Sequence, residues 1–540
     1  MENKNNTNYF RPLLVLAIVL LALFVGIRLG KMNGTSKAFS FIVPKQNKMT
    51  TILDLVSKYY VDTISIDDIV EPLIPEVLKE LDPHSVYISA AEFQRSNESL
   101  EGNFEGIGVT FNMPNDTVIV INVVEDGPSA KAGVHPGDRI INVNDMLIAG
   151  QDIDSDSIKT LLRGRSGSIV EIKVKRQGNA ELLPLEITRG NIPLKSIDVA
   201  YMITPSTGYI RMTRFAKNTY SEFIQTVNAL HKDGMTSMVV DLRNNAGGFL
   251  DQVNAITSEM FKERKLIVYT EGRAFPRENT YSEGKGKCGN DTLIVLINEN
   301  SASASEILAG AIQDNDRGLI VGHRSFGKGL VQRLIDLPDN SGLRLTIARY
   351  YTPSGRSIQR PYGHGSEGMI EYYNDLSRRY QDGELTNADS IKQTDSTKYY
   401  TSKGRIVYGG GGVTPDVFVP YEMADDFTIK VRRRELPYNY SLAFADRHRA
   451  KLNEIKDLAQ LDQFFKENDP FPGFIEYAKK AGIEMTNKDI EDSKETLDIY
   501  IKQYISQYTF LDQLGVVYFQ NQMDKTVLKA LELINTGMDI

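Results

Sequence analysis

The sequence of 540 residues has no tryptophan and a single cysteine, Cys288. A lone cysteine cannot close a disulfide within the chain, and the residues around it, Gly-Lys-Cys-Gly-Asn, have no metal-ligand spacing. The six histidines are scattered and form no pattern of metal ligands or of a catalytic triad. We therefore expect no metal site and no cofactor.

An excess of positive charge is also lacking. The chain has 62 lysines and arginines against 70 aspartates and glutamates, a formal net charge of -8. Nucleic-acid-binding domains usually carry a basic patch, so we exclude nucleic acid as a partner. Hydrophobic residues make up 41% and charged residues 24% of the chain, as in folded proteins, and the length allows several domains.

One long apolar run lies near the amino terminus, from Leu13 to Ile27. It is shorter than the roughly 20 residues that span a bilayer, but the stem of Arg28 can extend it. No small-x-small cleavage site follows, which favours an uncleaved anchor over a cleaved signal peptide. Because Lys4 and Arg11 should stay in the cytoplasm, the rest of the chain would lie outside it, which in a bacterium is the periplasm.

The pattern of the remaining chain changes three times. Helical periodicity dominates residues 49–89, and short β-branched runs between glycine-rich turns occupy residues 102–190. Helix and strand signals then alternate from residue 208 to about 420, and residues 426–540 are helical. This order predicts a multidomain α+β protein.

The β-rich part contains two glycine motifs, Gly106-Ile107-Gly108-Val109 and the Ala-Gly-x-x-x-Gly-Asp-x-Ile run of residues 132–140. A glycine-rich turn before a strand can point backbone N–H groups at one carboxylate, while the following strand pairs with an extended peptide. With both motifs, this part resembles a PDZ domain. The resemblance implies that Gly106, Ile107, Gly108 and Val109 bind carboxyl-terminal tails.

A buried strand, Ser237 to Val240, runs into a turn that ends in Gly247 and Gly248. The backbone N–H groups of such a turn are unobstructed and could form half of an oxyanion hole, where each donor is worth roughly 3–4 kcal/mol. A plain connecting turn is the alternative, and the turn alone does not decide between them.

A second strand, Thr292 to Ile297, is followed by Ser301, Ser303 and Ser305 and then by an apolar helix. A serine at a strand-to-helix turn lies beside unpaired helical N–H groups, which favour negative charge, so this turn suits a nucleophile. Serine is also a preferred first residue of helices, and an ordinary helix cap is the alternative.

Lysine is a better candidate for the base than any histidine. Lys328 lies between two glycines, which can leave its amine aimed into a pocket. To act as a base near pH 7, its pKa must fall by about 3 units from about 10.4, and burial can cause such a shift. An exposed turn lysine is the alternative.

Together these segments resemble the carboxyl-terminal processing, or tail-specific, serine proteases, from about Met49 to Pro420. The separation of Ser303 and Lys328 matches that of the family's serine and lysine. The resemblance implies that Ser303 attacks the peptide carbonyl, that Lys328 is its general base and that Gln332 orients the lysine.

The same resemblance implies an oxyanion hole made of the Ala304 N–H group and one from Gly247 or Gly248; which glycine takes part stays open. Glu306 also matches a family position, but its role is open as well, because a carboxylate near a helix N-terminus explains it equally well.

These inferences divide the chain into five parts. They are a cytoplasmic tip and membrane anchor (1–31), an N-terminal helical segment (32–98), a PDZ-like domain (99–190), an α/β serine-lysine protease core (191–425) and a C-terminal helical region (426–540).

The predicted function is that of a single-pass, membrane-anchored serine endopeptidase that cleaves proteins near or from their tails. Its expected partners are protein substrates with free apolar C-termini, with a homo-oligomer or an adaptor left open. The alternatives are a catalytically idle PDZ scaffold that holds tails, and a hydrolase that acts on a non-protein ester or a cell-wall peptide.

Overall fold

The computed structural model of the protein describes residues 48–537. The predicted membrane anchor, residues 1–31, lies outside this range. Among the residues that are described, none of the helices has the length and apolar character needed to cross a bilayer. Backbone contacts divide the chain into two units, Met1–Val77 and Leu78–Ile540.

Two helices lie at the start of the described chain, α1 (Lys48–Tyr59) and α2 (Ile66–Lys79). In α1, Lys58 pairs with Asp54 one turn earlier at 2.8 Å. Pro72 lies inside α2, which continues through it although proline removes a backbone donor. Strand β1 (Val86–Ile88) and helix α3 (Ala90–Glu101) follow in the second unit.

The next domain is rich in short strands. Its elements are β2 (Asn103–Gly106), β3 (Val109–Asn112), β4 (Val118–Val123), α4 (Pro128–Lys131), β5 (Arg139–Val143), β6 (Met146–Leu147), α5 (Ser155–Leu162), β7 (Ile169–Lys175), β8 (Leu183–Thr188) and β9 (Gly190–Pro193).

Six antiparallel strands of this domain form a sheet: β3, β4, β5, β7 and β8 lie in that order, with β3 at its edge, and β6 pairs with β5. Alternate residues of these strands, such as Val118, Val120 and Ile172, point into one core, which Ile158 of α5 helps to fill. Strands β2 and β9 pair with each other where the chain enters and leaves the domain.

The protease core follows. Its elements are β10 (Ile197–Met202), β11 (Thr207–Met212), α6 (Thr219–Lys232), β12 (Ser237–Asp241), α7 (Leu250–Ser258), β13 (Leu266–Glu271), β14 (Glu278–Tyr281), β15 (Thr292–Ile297), α8 (Ala304–Asp314), β16 (Leu319–Gly322), β17 (Leu330–Asp336), β18 (Gly342–Tyr351), α9 (Gly365–Tyr373), α10 (Asp375–Gln381), β19 (Tyr399–Tyr400), β20 (Ile406–Val407) and β21 (Val417–Phe418).

A six-stranded sheet forms the centre of this core, in the order β10, β11, β12, β15, β16, β21. Strands β11, β12, β15, β16 and β21 run parallel. Strand β15 is apolar along its length because helices cover both faces of the sheet. A second sheet joins β1, β18, β13 and β14, with β17 paired to β18. The segment after α2 therefore contributes a strand to the protease core.

The C-terminal region is helical. It consists of α11 (Asp426–Arg433), α12 (Leu436–Arg447), α13 (Arg449–Leu452), α14 (Leu458–Glu467), α15 (Phe471–Lys480), α16 (Asn487–Ser506), α17 (Gln513–Met523) and α18 (Lys525–Thr536).

These helices contact both preceding domains. On the β-rich domain, Ile121 of β4 packs into the helices' own core and the Asn122 amide donates to Asp512 at 3.0 Å. On the protease core, Val517 and Val527 pack against the central sheet, and Arg243 pairs with Asp524 at 2.8 Å. The predicted multidomain α+β organisation is thus confirmed, while the exact domain boundaries remain predictions.

Candidate active site

Ser303 lies at the turn between β15 and α8, at the end of a buried parallel strand. Its φ of 56° and ψ of -112° place it in a region that residues with a side chain rarely adopt, so the surrounding contacts must hold it there. The Ser303 N–H group donates to the Glu306 carboxylate at 2.8 Å. Ser303 lines a cleft of about 850 Å³ that Lys328 also lines.

The two neighbouring serines have other roles. The Ser301 hydroxyl donates to the Leu242 carbonyl oxygen and the Ser305 hydroxyl to the Asn245 carbonyl oxygen, each at 2.8 Å. Both serines are fully buried. Their hydrogen bonds connect this turn to the glycine turn after β12. Of the three serines, Ser303 is the one that lines the cleft.

The glycine turn after β12 packs directly against the Ser303 turn. Gly247 has φ of 102°, and a Cβ atom there would lie 2.8 Å from the Ser303 Cβ and 2.9 Å from the Ala304 nitrogen. At Gly248, with φ of 150°, a Cβ would lie 2.1 Å from the Phe215 carbonyl oxygen. Neither position has room for a side chain, which explains the pair of glycines.

The two glycines differ in their backbone hydrogen bonds. The Gly247 N–H group donates to the Asn245 side-chain oxygen at 2.9 Å and is therefore occupied. Within residues 48–537, neither Gly248 nor Ala304 has an acceptor for its N–H group. Both residues line the cleft beside Ser303, so these two donors are free to bind an oxygen of a ligand.

Glu306 connects the serine turn to the lysine turn. Its fully buried carboxylate accepts hydrogen bonds from the N–H groups of Ser303 (2.8 Å), Gly327 (2.7 Å) and Lys328 (2.9 Å) and from the Ser325 hydroxyl (2.6 Å). Burial raises the pKa of Glu306, while these four donors act in the opposite direction. The carboxylate thus fixes the backbone on either side of the cleft.

The Lys328 amine is partly buried and donates to the Gln332 side-chain oxygen at 2.8 Å. Burial, and after it the positive charge of Arg344 on β18, lower the pKa of Lys328 to about 8, against the opposing charges of Glu306 and Asp82. Half of the amines in this environment are neutral near pH 8. The lysine therefore has the lowered pKa that a base requires, and it lines the same cleft as Ser303.

The segment just after α2 supports the Gln332 side chain. The sequence alone did not indicate this role. The Gln332 side-chain amide donates to the His84 carbonyl oxygen, and the His84 ring is hydrogen-bonded to the Tyr372 hydroxyl at 2.8 Å. Burial lowers the pKa of His84 to about 3, so its imidazole is neutral. The polar run Asp-Pro-His-Ser at residues 82–85 signals a turn, but not this distant contact.

Tyr350 was also missed. Its buried hydroxyl lies within hydrogen-bonding distance of two carbonyl oxygens, that of Ser303 at 3.0 Å and that of Lys328. It thus supports from β18 the same two turns that Glu306 joins from α8. Its position in the sequence, before a Tyr-Thr-Pro segment, gives no sign of this role.

The predicted tail-binding residues lie at the start of β3. Gly106 ends β2, and Gly108 has φ of 75°, where a Cβ would lie 2.9 Å from Ile192. The carbonyl oxygens of Ile107 and Gly108 accept from Ser129 and Val124, each at 3.0 Å. In the described chain their N–H groups have no acceptor, and the outer edge of β3 has no partner strand.

Models of known families match three parts of the chain. The PDZ domain matches residues 106–187, peptidase family S41 matches residues 206–365, and a family of unknown function matches residues 427–512. A carboxy-terminal-processing protease of Bartonella bacilliformis is 35% identical over 383 residues, which cover 69% of this chain and 84% of that protein. The chain belongs to the carboxy-terminal processing proteases of peptidase family S41.

Two further proteins are similar to this chain. The carboxy-terminal processing protease CtpB of Bacillus subtilis is 31% identical over 329 residues, which are 60% of this chain and 68% of that protein. The solved photosystem II D1 C-terminal processing protease is 28% identical and covers 58% of this chain and 90% of its own, with a TM-score of 0.33. This carboxy-terminal processing protease is therefore a serine peptidase with a PDZ domain.

Replacing Glu306 with glutamine tests whether its carboxylate holds the two turns. The glutamine keeps one acceptor but presents an NH₂ group to N–H donors, so we expect the free energy of unfolding to fall by about 2–4 kcal/mol. Chemical unfolding of the protease core, followed by fluorescence, measures the change. Glu367→Gln is the control, because Glu367 is exposed in the first turn of α9 and should change stability by less than about 0.5 kcal/mol. Equal effects of both variants would contradict the role of Glu306.

The influence of Arg344 on Lys328 can be measured directly. The positive charge of Arg344 destabilises the protonated form of the Lys328 amine. Arg344→Gln removes that charge, so it should raise the pKa of Lys328 above its value of about 8. A titration by NMR of lysine labelled at its ε-carbon, assigned with a Lys328→Arg variant, gives both values. Arg349→Gln on the exposed side of the same strand is the control and should leave the titration in place. An unchanged midpoint in Arg344→Gln would show that burial acts alone.

Proposed function

We propose that this carboxy-terminal processing protease cleaves peptide bonds with Ser303 as its nucleophile and Lys328 as its general base. One observation carries the proposal: an amine whose pKa burial lowers to about 8 lines the same cleft as Ser303, beside the unpaired N–H groups of Gly248 and Ala304. A nucleophile, a base and oxyanion donors are the groups that acyl transfer requires.

In this mechanism, neutral Lys328 takes the hydroxyl proton as the Ser303 oxygen attacks the substrate carbonyl carbon. The carbonyl oxygen gains the negative charge, which the N–H groups of Gly248 and Ala304 stabilise. Protonated Lys328 then gives its proton to the leaving amine, and an acyl-enzyme remains for hydrolysis by water. Because the base must be neutral, the rate should rise as the pH passes through about 8.

The supporting residues act on these groups rather than on the substrate. Gln332 holds the Lys328 amine, and the His84 carbonyl oxygen holds Gln332. Gly247 brings the glycine turn against Ser303, while its own N–H group is used within the turn. We therefore assign the second oxyanion donor to Gly248 and a positioning role to Gly247.

We further propose that the PDZ domain selects substrates with free apolar C-termini. The N–H groups of Ile107 and Gly108 lie just before the free edge of β3 and are available to a terminal carboxylate. Val109 of β3 and Leu161 of α5 pack on the domain core and are only partly buried, so they offer an apolar surface to the last side chain. A tail would add to the sheet as one more strand.

The first test of the catalytic roles compares alanine variants on a denatured protein substrate. Ser303→Ala and Lys328→Ala should each lower kcat/KM by about 10⁴-fold or more, and the double variant should be no slower than either, because the two residues act as one unit. Ser305→Ala is the matched control: it loses one hydrogen bond worth about 1 kcal/mol and should keep activity within about tenfold. Full turnover in Ser303→Ala, or an inactive Ser305→Ala, would refute the assignment.

We also propose that residues 1–31 anchor the protease to the cell membrane, with the catalytic part in the periplasm or otherwise outside the cytoplasm. The apolar run Leu13 to Ile27 between Arg11 and Arg28 supports this. After expression in a bacterium, the full chain should stay with membranes in alkaline carbonate, and protease added to spheroplasts should degrade its catalytic part. A truncated chain that begins at Met49 is the control. Release of the full chain by carbonate would contradict an uncleaved anchor.

A further inference from the structure

A second cleft, of about 630 Å³, lies where the PDZ domain meets the C-terminal helices. On one side it is lined by the end of β3 and the turn that follows, at Asn112 and Met113. On the other side it is lined by α11 and by the start of α12, with Arg432, Arg433 and Tyr438 among the lining residues. This cleft is separate from the catalytic cleft, with which it shares no lining residue.

The side chains of β3 alternate between the two faces of the sheet. Phe111 and Met113 pack on the core of the PDZ domain, so Thr110 and Asn112 point to the opposite face. The C-terminal helices contact that opposite face, because Ile121 of the neighbouring β4 packs into their core. A peptide paired with the free edge of β3 would therefore turn every second side chain toward these helices.

The position of the carboxylate sets the register of such a peptide. With its terminal carboxylate at the N–H groups of Ile107 and Gly108, an antiparallel tail places its last residue beside Val109. The residue three positions earlier then lies beside Asn112, on the face that the helices contact, and the residues before it enter the second cleft. Asn112 itself lines the second cleft, so a tail that extends along β3 at about 3.4 Å per residue reaches the cleft.

The charged residues that line the cleft favour an acidic peptide. Arg432 and Arg433 contribute two positive charges and Glu435 one negative charge, which leaves a net charge of +1. The Arg432 guanidinium donates to the Tyr500 hydroxyl at 3.2 Å and lies 4.6 Å from the centre of the Tyr500 ring, so it is held in place. Arg433 is exposed and can turn to a bound carboxylate.

We propose that this second cleft is a binding site for the part of a substrate tail about three to five residues before its end, and that it prefers acidic side chains there. The proposal rests on the tail-binding role of the PDZ domain. It makes the C-terminal helical region part of the substrate-recognition surface. A tail then binds at two sites, with its carboxylate at the PDZ loop and its upstream residues at α11.

The test measures the affinity of fluorescent ten-residue peptides for the full chain carrying Ser303→Ala, purified in detergent. All peptides end in the same apolar residues and differ only in the third to fifth residues before the last, which are aspartate or lysine. We expect the aspartate peptide to bind about 5–10-fold more tightly at low salt, as one or two partly exposed ion pairs contribute, and this ratio should shrink in 0.5 M salt.

Charge reversal identifies the residue responsible. In Arg433→Glu the preference for the aspartate peptide should disappear or reverse. Arg434→Glu is the matched control, because Arg434 is the next residue, is also exposed and does not line the cleft. If the two peptides bind the unaltered cleft equally, or if both reversals change the ratio equally, the proposed site is wrong.

An amidated version of the aspartate peptide separates this site from the tail-binding role on which it depends. Tighter binding of the free acid, without any preference between aspartate and lysine, would overturn the second cleft alone. Equal binding of the free acid and the amide would overturn carboxylate recognition by the PDZ loop, and the register that places upstream residues in the cleft would fall with it.

Discussion

The buried carboxylate of Glu306 is the interaction on which the catalytic cleft depends. A charged group without water around it is costly, and Glu306 is tolerated because four donors surround it. Those donors come from two turns that are separate in the sequence, the serine turn and the lysine turn. The need to satisfy one carboxylate therefore sets the distance between the groups that line the cleft, and Tyr350 supports the same two turns from the other side.

Much of this architecture could be predicted from the sequence, because local patterns determine it. The runs Ser237 to Val240 and Thr292 to Ile297 are buried parallel strands, and the residues that follow them meet at one edge of the sheet. This arrangement places Ser303 against Gly247, and Gly248 lines the same cleft, whereas the patterns alone left each turn open and only the family resemblance joined them. The anchor prediction was local too, but it concerns residues outside the described range.

The remainder depends on contacts between residues that are far apart along the chain. Neither the Gln332 contact with His84 nor the effect of Arg344 on Lys328 has a periodic signal, because both depend on the pairing of β1 and β17 with β18. Competition for hydrogen bonds also escaped prediction. Gly247 and Gly248 look equivalent in the sequence, but only the Gly247 N–H group donates to the Asn245 side chain.

The distance along the chain between His84 and Gln332, 248 positions, has a consequence for biosynthesis. Strand β1, next to His84, pairs with β18, which ends at Tyr351, so the support of the lysine cannot assemble before that point has been synthesised. A nascent chain contains the serine turn earlier than it contains β18. Long-range pairing of this kind delays formation of the site until most of the polypeptide is present. The order of the strands thus makes the support of the lysine a late step in the assembly of the cleft.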